Sequence, residues 1–262
     1  MGKFHITKIN FNLGLNSTYH LYQVNDSHLI YTDNQKEKRW KTGKDHFAKI
    51  HNEEYDDYYK SASSKDIMEG IINYLNDNKA SLVVLNGDII DYYCKMNFNL
   101  LKRMMNIINT STMFVCGNHE ISSNLYASIA LDNDYSFQKV EYEDLIVLGI
   151  DNSNKSFNHY QVEKLKEELK KNKNIIIFYH IPIKTKNNEI DMKKYEPYFY
   201  IDYDSCDKDS KEFISLLLES NNIKGLLCGH FHGRSTSYLK EGLPQYVTSS
   251  ALIGYFSEII IK

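Results

Sequence analysis

Apolar and polar positions along this chain keep two rhythms. Short runs rich in Ile, Val, Tyr and Phe predict strands at His5–Phe11, Tyr19–Asn25, Leu82–Asn86, Thr112–Cys116 and Phe137–Tyr142. The same signal predicts strands at Leu145–Ile150, Ile175–Tyr179, Leu226–Cys228, Tyr246–Ser249 and Ser257–Ile261. Phe137–Tyr142 and Leu145–Ile150 flank Glu143-Asp144 and read as a hairpin with a two-residue turn. Between these runs the period lengthens. Ile67, Met68, Ile71, Ile72 and Leu75 form one apolar helix face after Ser63 and Ser64, as do Leu100, Leu101, Met104, Met105 and Ile108. Val162, Leu165 and Leu169 make a thin stripe on a charged surface helix, and Phe213, Ile214, Leu217 and Leu218 mark another helix. Methionines at this spacing read as core filling.

Strands alternating with helices, then a strand-rich final third, argue for an α/β fold with mixed sheets. Two segments break the rhythm: Tyr31–Ala62, polar and charged, and Lys184–Lys208, rich in Tyr and Asp. The reading is a single domain over 1–262 with insertions at 31–62 and 184–208.

Composition narrows the class. The chain has 262 residues, 42% hydrophobic and 25% charged, with 12 Gly and 3 Pro, which excludes collagenous, disordered and disulfide-scaffold proteins. A net charge of -3 disfavours a grip on duplex nucleic acid through its phosphates. The Lys-rich run Glu163–Lys173 reads as a solvated helix face. No apolar stretch is long enough to span a membrane. The start, Met1 to Ile6, is neither a signal peptide nor a myristoylation site. Cys94, Cys116, Cys206 and Cys228 form no CxxC pair, and a cytoplasmic protein is expected.

Five segments share one grammar, an apolar run followed by a metal-ligand residue type. They are Asn25-Asp26-Ser27-His28, Asn86-Gly87-Asp88-Ile89-Ile90-Asp91, Gly117-Asn118-His119-Glu120, Tyr179-His180-Ile181-Pro182 and Gly229-His230-Phe231-His232. In open α/β sheets ligands gather beyond the carboxyl ends of strands, so these segments would aim their side chains into one pocket. Gly87, Gly117 and Gly229 are expected to permit tight turns, and alternation to send His230 and His232 to the same side. Asp26, His28, Asp88, Asn118, His180, His230 and His232 make more candidates than the three or four protein ligands of a mononuclear catalytic site. Two ions ~3.5–4 Å apart would use them all, with Asp88 as the bridge. Mixed imidazole and carboxylate ligands suit Mn, Fe or Zn, as divalent or mixed-valence ions.

In order, D-x-H, G-D-x-x-D, G-N-H-E, a lone His after a strand, and G-H-x-H resemble the calcineurin-like metallophosphoesterase superfamily, from Asp26 to His232. That resemblance implies a four-layer α/β/β/α sandwich of two mixed β-sheets flanked by helices. It implies one metal on Asp26, His28, Asp88 and His232, and a second on Asp88, Asn118, His180 and His230. It makes His119 the catalytic residue, facing the substrate. Two departures stand out: a long gap between Asp26 and Asp88, and a fourth block without the doubled His of many members.

The expected activity is hydrolysis of a small phosphomonoester or phosphodiester, a metal-bridging hydroxide attacking phosphorus in line. Nuclease and cyclic-nucleotide specialisations, a non-phosphate bond, and a non-catalytic scaffold of the same fold are the alternatives. Asp91 reads as a hydrogen-bonding support or helix cap and Glu120 as structural. His5, His20, His46, His51 and His159 fit no ligand grammar. Tyr195, Tyr198, Phe199, Tyr200 and Tyr203 could wall the pocket, but a loop folded onto its own aromatics is the preferred reading.

Overall fold

The computed structural model describes residues 2–31, 34–121 and 135–262. Thirteen strands are present among them. These are β1 (His5–Phe11), β2 (Tyr19–Val24), β3 (Leu82–Asn86), β4 (Thr112–Val115), β5 (Phe137–Glu141), β6 (Leu145–Ile150) and β7 (Asn174–Phe178). Then follow β8 (Ile183–Lys184), β9 (Ile201–Asp202), β10 (Ile223–Cys228), β11 (Ser235–Lys240), β12 (Leu243–Val247) and β13 (Tyr255–Ile261). The helices are α1 (Asn34–Ile50), α2 (Asp57–Ser61), α3 (Ser64–Asp77), α4 (Lys95–Asn106), α5 (His159–Leu169), α6 (Glu189–Met192) and α7 (Lys208–Glu219).

Two mixed sheets carry the fold, ordered β1-β13-β2-β3-β4 and β11-β12-β10-β7-β6-β5. Strand alternation sorts their side chains into three apolar layers. Leu82 and Val84 of β3 face inward, where they meet Leu145, Val147, Ile176, Phe178 and Leu227 of the other sheet. Val83 and Leu85 point the opposite way, onto Ile67, Met68, Ile71 and Ile72 of α3 and Leu101 and Met104 of α4. On the far side, Ile146, Leu148, Ile175 and Ile177 pack against Val162 and Leu165 of α5 and Phe213 and Leu217 of α7. The order of layers is therefore α/β/β/α.

Local signals explain the element ends. Ser63 caps α3 by accepting from the Asp66 N–H, and Asn158 and Gln161 close a reciprocal capping box on α5. The hairpin of β5 and β6 closes on the Tyr142 N–H donating to Leu145 O at 2.8 Å, leaving Glu143-Asp144 as the turn. Along α5 the charged side chains pair with one another outside, as in Lys164–Glu167 at 2.8 Å.

Two expectations need correction, and one element was not expected. Tyr31–Ala62 is not aperiodic chain: it forms α1 and α2, with residues 32 and 33 outside the described residues. On α1 the inward positions Trp40, Lys44 and Ala48 are buried, so a lysine interrupts the apolar stripe. Its Nζ donates to Tyr59 O at 2.8 Å and Ala62 O at 2.9 Å, satisfying carbonyls at the end of α2. Lys184–Lys208 holds α6 and the two-residue strands β8 and β9. A strand at Ser235–Lys240 also escaped the sequence pattern: its inward positions are Ser237 and Leu239, and Ser237 is polar.

Candidate metal centre

The loops after β2 and β3 run side by side. Beyond the strand ends Asp26 N donates to Gly87 O at 3.0 Å, His28 N to Asp88 O at 3.0 Å, and Leu29 N to Ile89 O at 2.7 Å. This pairing fixes Asp26 and His28 next to Asp88, although 62 positions separate the two aspartates. It also imposes strain. Asp26 (φ 52°), His28 (φ 43°) and Asp88 (φ 51°) all sit in the left-handed region, as do His230 (φ 74°) and His232 (φ 58°). A side chain there costs of order 1–3 kcal/mol, and such strain clusters where function fixes the backbone. Among the described residues only Asn52 and Lys155 share that conformation without glycine's freedom.

Glycine's role differs from the expectation. Gly87 does take a positive φ of 84°, but Gly117 and Gly229 do not. Their lack of a side chain makes room instead: a Cβ at Gly117 would overlap the Asp88 carboxylate, and one at Gly229 would come 2.7 Å from Asp26 Oδ2. Nor are His230 and His232 delivered by strand alternation, since both lie past the end of β10 in left-handed backbone. They part company. His232 joins Asp26 and His28, with ligand atoms within 4.8 Å of one another, and His230 joins Asp88 and His180 on the same measure.

The two groups adjoin. His180 Nε2 lies 3.2 Å from Asp88 Oδ2 and 3.8 Å from Asp26 Oδ1. Across the first group His232 Nε2 is 3.4 Å from Asp26 Oδ1 and 3.0 Å from His28 Nε2. Asn118 is partly exposed, and the other six candidates are buried. Four atoms of the seven, His28 Nδ1, Asn118 Oδ1, His180 Nε2 and His230 Nε2, are buried with no hydrogen-bond partner among the described residues. Lone pairs are rarely left so unless something else takes them.

Surrounding groups hold these side chains in place. His180 Nδ1 faces Asn86 O at 2.9 Å, which places a ring proton there and turns Nε2 toward Asp88. Asn152 Oδ1 accepts the backbone N–H groups of His180 and Ile181 at 3.1 Å and 3.0 Å. Asp91 Oδ1 lies 3.3 Å from His28 Nδ1 and accepts from Trp40 Nε1 at 2.8 Å. Glu120 is structural: its carboxylate accepts from the backbone of Asp88, Ile90 and Gly117. His119 is half-buried beside the cluster. Its N–H donates to Asp88 Oδ1 at 2.9 Å, its Nδ1 meets Asp91 O at 2.6 Å, and its Nε2 stands 3.9 Å from Asp88 Oδ2. His28, Asp91 and His119 form a third grouping with metal-compatible spacing.

Titration behaviour follows from burial and charge. Burial pushes His28 down to about 4 and His230 down to about 3, and holds His232 well below its ordinary value. Those three imidazoles are therefore neutral, the form that binds metal. Burial also opposes charge on His180, yet the Asp88 and Asp26 carboxylates outweigh it and raise that imidazole to about 10. Asp26 is itself raised to about 6, chiefly by burial. A proton on His180 thus stands where the carboxylates attract positive charge.

Sequence reasoning missed Trp40, whose ring lies 4.2 Å from His28 and 5.6 Å from His232, and Phe47, 4.4 Å from His232. A lone Trp in a polar segment was the only available signal. The aromatic cluster divides: Tyr200 is buried, Tyr203 bonds Ser215, and Tyr198 packs tilted against Phe199, while Tyr195 and Phe199 turn toward His230 and Phe231. The preferred loop-only reading therefore fails for those two.

Comparison with known proteins places this geometry in context. The family described as calcineurin-like phosphoesterase matches residues 19–234. No curated protein sequence matches the chain. Among solved structures, a dimetal phosphatase from Danio rerio superposes with a TM-score of 0.58 at 13% identity, covering 90% of this chain and 88% of that one. A purple acid phosphatase from yellow lupin seeds reaches 0.52 at 14% identity, over 92% of this chain and 44% of its own. The protein described as the anchor in the inner membrane complex of Plasmodium reaches 0.51 at 12% identity, over 89% and 72%. At such identities these likenesses speak for the fold alone. Among the described residues no helix is long and apolar enough to cross a membrane.

Proposed function

Because the chain belongs to the calcineurin-like phosphoesterase family, we propose that it is a binuclear hydrolase acting on a small phosphomonoester or phosphodiester. Asp26, His28, Asp88 and His232 would hold one ion, and Asp88, Asn118, His180 and His230 the other. Mn, Fe or Zn suits that mixture of donors. When bound, such a pair supplies Lewis acidity toward phosphoryl oxygens and a water activated near neutral pH.

The chain's own groups do the rest. Asn118 offers an uncharged oxygen, so Asp26 and Asp88 are the only formal anions among the seven, and the loaded site keeps its attraction for a phosphate. His119 is tied at Nδ1 to the Asp91 carbonyl, which leaves Nε2 to stabilise developing charge or protonate the leaving oxygen. In the metal-free chain burial works against its charged form, but Asp88 and Asp91 outweigh it and raise its pKa. The observation that carries this reading is the pair of adjoining groups, Asp26 with His28 and His232 and Asp88 with His180 and His230, each with ligand atoms within 4.8 Å of one another.

Removing metal tests it. Chelation is expected to abolish hydrolysis of a chromogenic phosphate ester, and added Mn²⁺ to restore it. Loading also has a direction in pH. The metal-free chain carries a proton on His180 below about 10, and one on Asp26 below about 6, which binding must expel. Metal affinity should therefore rise about tenfold per pH unit above roughly pH 6, and more steeply below it. Hydrolysis indifferent to chelation, or affinity flat from pH 6 to 8, contradicts the assignment.

A further inference from the structure

A cavity of about 240 Å³ opens beside the two histidine groups. One wall is the end of α1 and the residue after it, through Phe47, Ile50 and His51. The opposite wall is Tyr195 and Phe199 of the 184–208 segment, with Lys194 at its margin. Its floor is Phe231, only 1% exposed and held between His230 and His232 in the sequence. The rings are ordered: Tyr195 stacks on Phe231 at 3.8 Å and faces His51 at 5.9 Å, while Phe199 meets Phe231 edge-on at 6.0 Å.

Two of its lining rings contact histidines of the candidate metal centre. Phe199 packs 5.3 Å from the His230 ring, and Phe47 lies 4.4 Å from the His232 ring. An ester whose phosphoryl group engages both histidine groups would extend its leaving group between these two phenylalanines. Flat aromatic walls of this kind favour a π-face, by stacking and edge-to-face contact. Size sets a limit: sites for drug-sized ligands run to roughly 300–1,000 Å³, so this one accepts a single ring system and not a polymer.

We propose that this cavity is the leaving-group site, and that the substrates are phosphate esters bearing one aromatic or heteroaromatic ring. The inference rests on the phosphoesterase reading for its anchor at the metal groups. It assigns a use to residues that the metal chemistry leaves idle, in the two segments that interrupt the sequence pattern.

Binding of non-hydrolysable probes separates the two readings. With Mn²⁺ bound, phenylphosphonate should bind about tenfold more tightly than methylphosphonate, since stacking on an aromatic side chain is worth about that much or more. A nucleoside 5′-methylenephosphonate distinguishes a ring close to phosphorus from one carried on a sugar. Tyr195→Ala is expected to lower affinity for the preferred ring probe about tenfold and collapse its advantage over methylphosphonate. Ile50→Glu, at a position 57% exposed and so unlike a core change, should also collapse it by placing a carboxylate at the mouth. Equal affinity of wild type for the ring and methyl probes overturns the proposal, as does an advantage that survives both substitutions. Discrimination between probes with no ester cleaved would leave the cavity assignment standing and sink the hydrolase reading instead.

Discussion

Asp88→Asn leaves a folded chain that no longer hydrolyses phosphate esters when Mn²⁺ is supplied. The carboxylate is almost wholly buried, and its two oxygens do different work. Oδ1 accepts the His119 N–H at 2.9 Å, while Oδ2 lies 3.2 Å from His180 Nε2. Asparagine keeps the shape and can keep the first bond. It removes the negative charge and turns an N–H₂ donor toward the place where a cation should sit. Loss of a partner that merely supports a ligand costs about 10–100-fold in metal affinity or activity. Loss of the group shared by both ions should exceed that, with kcat down by more than about a hundredfold and metal content falling below two per chain. Thermal unfolding of the metal-free chain should shift down, since His180 loses its nearest carboxylate, while Asp26 at 3.8 Å still faces it. Full activity with two metals retained would remove Asp88 from its place between the ions.

A second substitution separates chemistry from metal binding. His119→Ala should keep both ions and lose about 10²–10⁴-fold in rate, the span of a positioned general acid. The loss should be greatest for esters with poor leaving groups, whose departing oxygen most needs a proton. His119 also falls in a grouping with His28 and Asp91 whose spacing a metal could use. Metal analysis beside the kinetics decides between the roles. Two ions retained with a leaving-group-dependent loss supports proton donation, whereas loss of an ion makes His119 a ligand.

Much of this architecture is legible in the sequence, because β-strands buried on both faces read as short apolar runs and the amphipathic helices keep their period. Leu82–Asn86 and Leu145–Ile150 match their strands residue for residue. The least legible element is α1. Its inward face is built from Trp40, Lys44 and Ala48, so the period is present, yet a lysine whose charge caps another helix disguises it. β11 hides for a related reason: Ser237 is inward and bonded to Asn188 and Gln245, a polar residue at a core position. β8 and β9, two residues each, are too short to show a period at all.

At the site, residue types at strand ends pointed to Asp26, His28, Asp88, His180, His230 and His232, which fall in two adjoining groups. Their individual conformations were not legible. Left-handed backbone at Asp26, His28, Asp88, His230 and His232 arises from loop pairing and tertiary packing, which no local propensity encodes. The close approach that makes Gly117 and Gly229 necessary is likewise a long-range fact: one sits under Asp88 and the other under Asp26.

Anomalous diffraction from crystals loaded with Mn²⁺ tests the central claim most directly. Two peaks about 3.5–4 Å apart are expected, with Asp88 contacting both, His28 and His232 on one, and Asn118, His180 and His230 on the other. A single peak, or manganese bound away from these side chains, would contradict it.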